Sequence, residues 1–185
     1  MRSSTRSLKF SSRRKAVKVA EATRANQAGD IAPSAAPGDR SAAGTAISGD
    51  PRPVKIIGLV CNWCSYVGAD TAGAGRFWQP ANVRLVRVPC TGRIDPLFAL
   101  KAFEKGADGV LISGCHPGDC HYSEGNYYAR RKFELLERMI HHLGIPKERF
   151  KWTWVSASEG QRWQQVVTDF VAGVEKLGPR EARAL

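Results

Sequence analysis

Five cysteines fall within one third of this 185-residue chain, at Cys61, Cys64, Cys90, Cys115 and Cys120. They read C-x2-C, then an isolated thiol, then C-x4-C. Thiolates are nucleophiles and soft metal ligands, so several chemistries are open. Four of them converging on one point would suit zinc or an iron–sulfur cluster. A lone C-x2-C ahead of a helix would suit a thiol–disulfide exchange pair built on Cys61 and Cys64. Thiols with no reactive role would simply be buried in the core. The spacing matches neither the two knuckles of a zinc ribbon nor the plant-type ferredoxin pattern. An odd count without a secretory apolar segment argues against a paired extracellular framework.

The choice depends on the elements that carry these residues. VKIIGLVC (54–61) is a continuous apolar and β-branched run, as expected of a strand buried on both faces. NVRLVRVPC (82–90), GVLISGC (109–115) and FKWTWVS (150–156) read as three further strands, the last with Trp152 and Trp154 on one face. Helices separate them. One is expected near 64–72. A second is capped by Asp95 with Pro96 at its first position, has Leu97, Leu100 and Phe103 as its stripe, and closes at Gly106. A third spans about 124–143, with Phe133, Leu136, Ile140 and Leu143 inward and Gly144–Pro146 as its stop. The last opens with a capping box, Ser158-x-x-Gln161, and buries Trp163, Val166, Phe170, Val174 and Leu177. Alternating strands and helices imply an α/β fold: a small three-layer domain with a mainly parallel sheet of about four strands and right-handed crossovers.

In such a sheet all strand carboxyl ends share one edge, where α/β proteins place their functional sites. Cys61, Cys90 and Cys115 each end a strand, and Cys64 and Cys120 follow within a few residues. Three strand ends therefore bring five thiols to one rim, a coincidence that core cysteines have no reason to show. Gly92, Gly114 and Gly118 permit tight turns whose amides can face sulfur, and Pro89 and Pro117 stiffen the same loops. His116 and His121 are either donors to sulfur, replacement ligands, or loop residues bonded to backbone. Trp63, Tyr66, Arg93 and Tyr122, beside the cysteines, are candidates for a docking surface or for packing of their own loops.

The net charge is +11, of which +7 lies in residues 1–24, where eight Lys/Arg face only Glu21. Residues 1–52 are rich in Ser, Ala, Gly, Arg and Pro and read as a basic, low-complexity tail that cannot offset its ordering entropy by burial. The Arg13–Arg14 pair lacks the apolar stretch of a twin-arginine leader. From residue 53 onward the chain carries 18 Lys/Arg against 13 Asp/Glu, and Arg84 and Arg87 fall on opposite faces of their strand. A zinc-stabilised nucleic-acid module therefore has little beyond the tail to recommend it, and no nucleic-acid partner is expected. No run reaches the ~18 apolar residues of a membrane span. Dinucleotide fingerprints, paired-carboxylate motifs and a nucleophile elbow are missing from the sequence. The expected organisation is a tail at 1–52, an iron–sulfur or other metal domain at 53–178 and a short C-terminal tail at 179–185.

Three segments carry a resemblance: VCNWCSYVGAD, VRVPCTGRIDPLFALKAFEKGADGVLISGCHPGDCHYSEGNYYARRK and LGIPKERFKWTWVSASEG. Together they closely resemble the iron–sulfur delta subunit of methyl-viologen-reducing hydrogenase, over residues 54–178 and not the tail. The resemblance implies a cytoplasmic electron-transfer subunit with one 2Fe–2S cluster and no catalytic residues of its own. Its implied place is between the flavoprotein subunit of a heterodisulfide-reductase-like complex and a hydrogenase, formate dehydrogenase or other reductase subunit, feeding flavin-based electron bifurcation. The five cysteines of the family pattern are all present, and a 2Fe–2S cluster uses four. Cys61, Cys64, Cys115 and Cys120 are expected as ligands. Cys90, alone at a strand end, is the expected fifth, a near neighbour or an exchangeable ligand.

Overall fold

The computed structural model describes residues 52–180. The expected tail lies outside the described residues except for Arg52, as do residues 181–185. Four strands, β1 (Ile56–Cys61), β2 (Val83–Val88), β3 (Gly109–Gly114) and β4 (Phe150–Trp154), form one wholly parallel sheet in the order β2-β1-β3-β4. Four helices alternate with them: α1 (Ser65–Ala74), α2 (Pro96–Glu104), α3 (Gly125–His142) and α4 (Gly160–Leu177).

The central strands β1 and β3 read as unbroken apolar runs because both of their faces are covered. Leu59, Val110 and Ile112 face the layer made by Ala99 and Phe103 of α2 and Ala129, Phe133, Leu136 and Ile140 of α3. Ile56, Val60 and Leu111 face the opposite layer, Ala69 and Ala72 of α1 with Trp163, Val167, Phe170 and Val174 of α4. The period of two sorts each strand between the layers. Trp152 and Trp154 share one face and meet edge-on at 5.5 Å beside Phe133.

Four local expectations are corrected, one being Leu143, expected inward on α3 but 48 % exposed just past its end. The Ser158 capping box is not formed: Ser158 bonds the Ser156 hydroxyl, and the helix starts one residue later behind Glu159. Its buried stripe is rotated, with Val167 and Val171 inside and Leu177 at the surface, because α4 must also cover α1. In α2 the inner residues are Ala99 and Phe103, while Leu97 is 64 % exposed. A small alanine there lets the helix approach the sheet. Arg84 and Arg87 form no joint patch: Arg84 caps the Ala81 carbonyl, and the Arg87 guanidinium lies over the Tyr66 ring at 4.9 Å.

The amino-terminal rim of the sheet is held by one buried carboxylate. Asp108, fully buried, accepts two bonds from the Arg52 guanidinium and one each from the Lys55 and Arg180 amides. Arg149, also buried, donates to the Asp108 carbonyl and to the carbonyls of Leu177 and Gly178. Burial opposes ionisation of Asp108, but these donors outweigh it and hold its pKa below the ordinary value. Asp108→Asn should cost about 2–4 kcal/mol, because the two arginines lose their counter-charge. A carboxylate depressed on folding stabilises above its unfolded pKa and loses that contribution as pH falls through the folded one. Wild-type stability measured by urea denaturation should therefore decline below about pH 4, and the decline should be shallower in Asp108→Asn.

Candidate metal centre

The opposite, carboxyl-terminal rim gathers the cysteines. Cys61 is the last residue of β1, and Cys64 precedes the first turn of α1, so C-x2-C folds back across the end of its own strand. Cys115 leaves β3 directly beside it. The sulfurs of Cys61, Cys64 and Cys115 all lie within 4.8 Å of one another, close enough to ligate one metal ion. Cys90, after β2, and Cys120, ahead of α3, form a second group with their sulfurs 3.8 Å apart. Parallel pairing in the order β2-β1-β3 makes this possible, since it sets the three cysteine-bearing strand ends side by side.

The thiols perturb one another. Cys61 is lowered to about 6, chiefly by the Cys115 thiol, against the opposing effect of burial and with help from the amides of Trp63, Cys64 and Thr91. Cys115 is driven strongly upward by the same contact and by burial. Burial and the neighbouring Cys61 push Cys64 up to about 11. Cys90 is raised by burial, although the Gly92 amide, 3.4 Å from its sulfur, favours the thiolate. Burial opposes ionisation of Cys120, yet its pKa falls because the Tyr122 amide, the Cys90 thiol and the Asn126 and Gly125 amides at the head of α3 together outweigh it. Charge on Cys120 is felt at Cys64 and Cys115, and charge on Cys61 at Cys90.

Glycines make the crowding sterically possible. A Cβ on Gly125 would overlap the Cys90 sulfur and stand 3.0 Å from that of Cys120. One on Gly92 would meet the Gly125 carbonyl at 2.6 Å. Buried polar groups complete the surroundings. Asn126 donates to the His116 carbonyl at 2.6 Å and lies 3.9 Å from the Cys115 sulfur. Beneath the rim the Ser113 hydroxyl donates to Ser65, which donates to the Val155 carbonyl. Thr91 is fully buried, and its hydroxyl has no partner among the described residues. An all-sulfur donor set, inward amides, an unpaired hydroxyl donor and a side-chain-free cradle fit an iron–sulfur cluster, whose sulfides accept hydrogen bonds.

The remaining expected residues occupy defined places. His116 pairs with Glu159 at 2.7 Å, and the same carboxylate oxygen accepts the Ser156 amide at 2.7 Å. Burial works against the Glu159 carboxylate, but these two bonds hold its pKa low. His121 stacks on Trp63 at 3.9 Å, and the Trp63 indole donates to the Tyr122 hydroxyl at 3.2 Å. An exposed aromatic arch thus joins the two cysteine loops. Gly118 supplies a positive φ of 100° for the turn after Pro117, and Gly114 gives way to Thr91. Tyr66 is partly buried under Arg87, whereas Arg93 is exposed.

Thr91, Gly125, Asn126 and Lys132 carry no motif that singles them out in the sequence. The signal for Gly125 and Asn126 is their position at the start of a helix just after Cys120; Lys132 looks like part of a solvated ARRK run.

Comparison with known proteins agrees with this geometry. Residues 56–178 match the family model described as the delta subunit of methyl-viologen-reducing hydrogenase. The chain is 54 % identical over 125 residues to an iron–sulfur subunit of an F420-non-reducing hydrogenase from Methanococcus voltae, covering 68 % of this chain and 87 % of that one. It is 51 % identical over 125 residues to the corresponding iron–sulfur protein of Archaeoglobus profundus, covering 68 % and 91 %. It is also 41 % identical over 124 residues, 67 % of this chain, to one subunit of the ferredoxin:CoB-CoM heterodisulfide reductase from Methanosarcina mazei, where the match is only 16 % of the longer chain. With its whole cysteine-bearing domain matched, the chain belongs to the delta-subunit family of methyl-viologen-reducing hydrogenase.

Proposed function

We propose that this chain is an electron-relay subunit that holds one 2Fe–2S cluster through Cys61, Cys64, Cys115 and Cys120, with Cys90 as the adjoining fifth thiol. The observation that carries the reading is the joint placement of the Cys61–Cys64–Cys115 triangle and the Cys90–Cys120 pair on one sheet rim. When bound, such a group accepts one electron and passes it on unchanged in number. The chain's own residues do the rest. Amides of Thr91 and Tyr122 and the Asn126 side chain face the thiols and lower the cost of negative charge there. The Trp63–His121–Tyr122 arch covers the solvent side and ties the two ligand loops together.

The proposed donor is a hydrogenase, formate dehydrogenase or other reductase subunit, and the proposed acceptor is the flavoprotein of a heterodisulfide-reductase-type complex. Occurrence of a similar segment inside a much longer heterodisulfide reductase chain supports contact with a protein of that kind, and a role in flavin-based bifurcation is part of the same proposal. No helix among the described residues is long and apolar enough to cross a membrane. The reading places the relay in the reducing cytoplasm, where thiols stay free.

Anaerobic purification of the full chain should give a brown protein with about two iron and two sulfide per chain. Serine at Cys61, Cys64, Cys115 or Cys120 should cut the iron content several-fold, and Cys90→Ser should retain it. Colourless protein with bound zinc would replace the relay by a zinc-stabilised module. Metal-free protein that reduces disulfides through Cys61 and Cys64 alone would replace it by a thiol–disulfide oxidoreductase.

Gly125→Ala offers a steric test of the same centre. Its methyl group would stand 3.0 Å from the sulfur of the proposed ligand Cys120 and force the adjoining Cys90 sulfur against it, so the variant should keep its circular dichroism but hold several-fold less iron, read as the iron-to-protein ratio.

A further inference from the structure

Lys132 lies two helical turns into α3, and its neighbours make ordinary surface contacts: Arg131 covers the Tyr128 ring and Arg138 pairs with Glu134. Lys132 points elsewhere. Its ammonium donates to the Gly92 and Ile94 carbonyls, both at 2.8 Å. Those carbonyls bracket Arg93 in the single 3₁₀ turn Thr91–Arg93, which leads away from Cys90 and turns the Gly92 amide toward the Cys90 sulfur.

We propose that Lys132 is the positioning cation of the cysteine centre: it locks the turn behind Cys90 and sets a positive charge beside the thiols. This rests on reading the site as an iron–sulfur relay, and goes beyond it by naming a residue that sets how readily the relay accepts an electron.

Three features support the assignment. Lys132 is partly buried and makes no ion pair with a carboxylate among the described residues, so its charge is not cancelled by direct contact. Desolvation lowers its pKa, while Asp95 and Cys90 attract the charge and Arg93 opposes it. Asp95 is itself committed to capping α2 through the Leu97 amide at 2.9 Å. Finally, the ammonium ties to α3 a turn whose other hydrogen bonds, Arg93 to the Cys90 carbonyl and Ile94 to the Thr91 carbonyl, are all local. Gly92 packs directly on Gly125, and a small drift of that turn would open the cradle around Cys90 and Cys120.

The consequence follows from charge. Reduction adds one negative charge to the centre, and a nearby cation held out of bulk water stabilises the reduced state. Removing the cation should make reduction harder. A methionine keeps the aliphatic stem and removes the charge; an arginine keeps the charge and can still donate to both carbonyls.

The experiment is a redox titration of the anaerobically purified full chain, followed by electron paramagnetic resonance and visible absorption, with iron counted in every sample. Lys132→Met should hold near-wild-type iron and titrate at a more negative midpoint, and Lys132→Arg should restore most of the shift. Loss of iron from Lys132→Met with retention in Lys132→Arg would also support the role. An unchanged midpoint in Lys132→Met, equal shifts in both variants, or loss of iron from both would overturn it. A wild-type chain that binds no iron would defeat the relay reading as well, whereas an iron-bearing wild type with an indifferent Lys132 would defeat only this assignment.

Discussion

Crowding of sulfur is the constraint to which the rest of the polypeptide answers. Three thiols lie within 4.8 Å of one another and two more lie 3.8 Å apart on the same rim. Thiolates this close repel, so full ionisation is excluded unless cations or hydrogen-bond donors compensate. The opposed directions at Cys61 and Cys115 are what two adjoining thiols show when only one proton can leave. The chain meets this load with backbone amides, with the head of α3 and with Lys132, and spends glycine at positions 92 and 125 so that no side chain intrudes.

The two rims of the sheet do different work. At the amino-terminal rim Asp108 joins Arg52, Lys55 and Arg180 into a knot around one buried carboxylate. Most of the donors there face an acceptor, Arg180 Nε being a buried exception, and the arrangement fastens both ends of the domain. At the carboxyl-terminal rim two such atoms sit beside the thiols: the buried Thr91 hydroxyl and the Asn126 side-chain oxygen have no partner among the described residues. Buried polar atoms without partners are costly, and they cluster where a structure serves something other than its own stability. The division matches the general separation in α/β sheets between a stabilising end and a functional end.

Much of this architecture is legible in the sequence because it rests on periodicity. The apolar runs at 54–61 and 109–115 mark strands covered on both faces, and the cysteines at the strand ends follow from parallel order without knowledge of any loop. What escapes is set by contacts between loops distant in the chain. The Ser158-x-x-Gln161 pattern has the right letters, but Glu159 is drawn to His116 and the Ser156 amide, and the helix begins behind it. Leu97 has the spacing of a core residue, yet α2 approaches the sheet through Ala99, and volume rather than hydropathy decides which face goes in. Lys132 is indistinguishable in sequence from Arg130 and Arg131 because nothing local says that a turn forty residues earlier ends at its ammonium.

The aromatic arch shows how one device meets two demands of a relay. Electron transfer requires the centre to lie near a surface that a partner can reach, while an iron–sulfur group needs shelter from water and oxidants. Trp63 is 44 % exposed and Tyr122 52 % exposed, so the arch remains available for contact. Its rings also cross-brace the loop between Cys61 and Cys64 and the loop after Cys120, through stacking on His121 and the indole-to-hydroxyl bond. A flat aromatic surface loses little conformational entropy on docking, having few torsions to freeze, and excludes water once covered. The same three side chains can therefore hold the ligand loops in register before a partner arrives and form the dry floor of the contact afterwards.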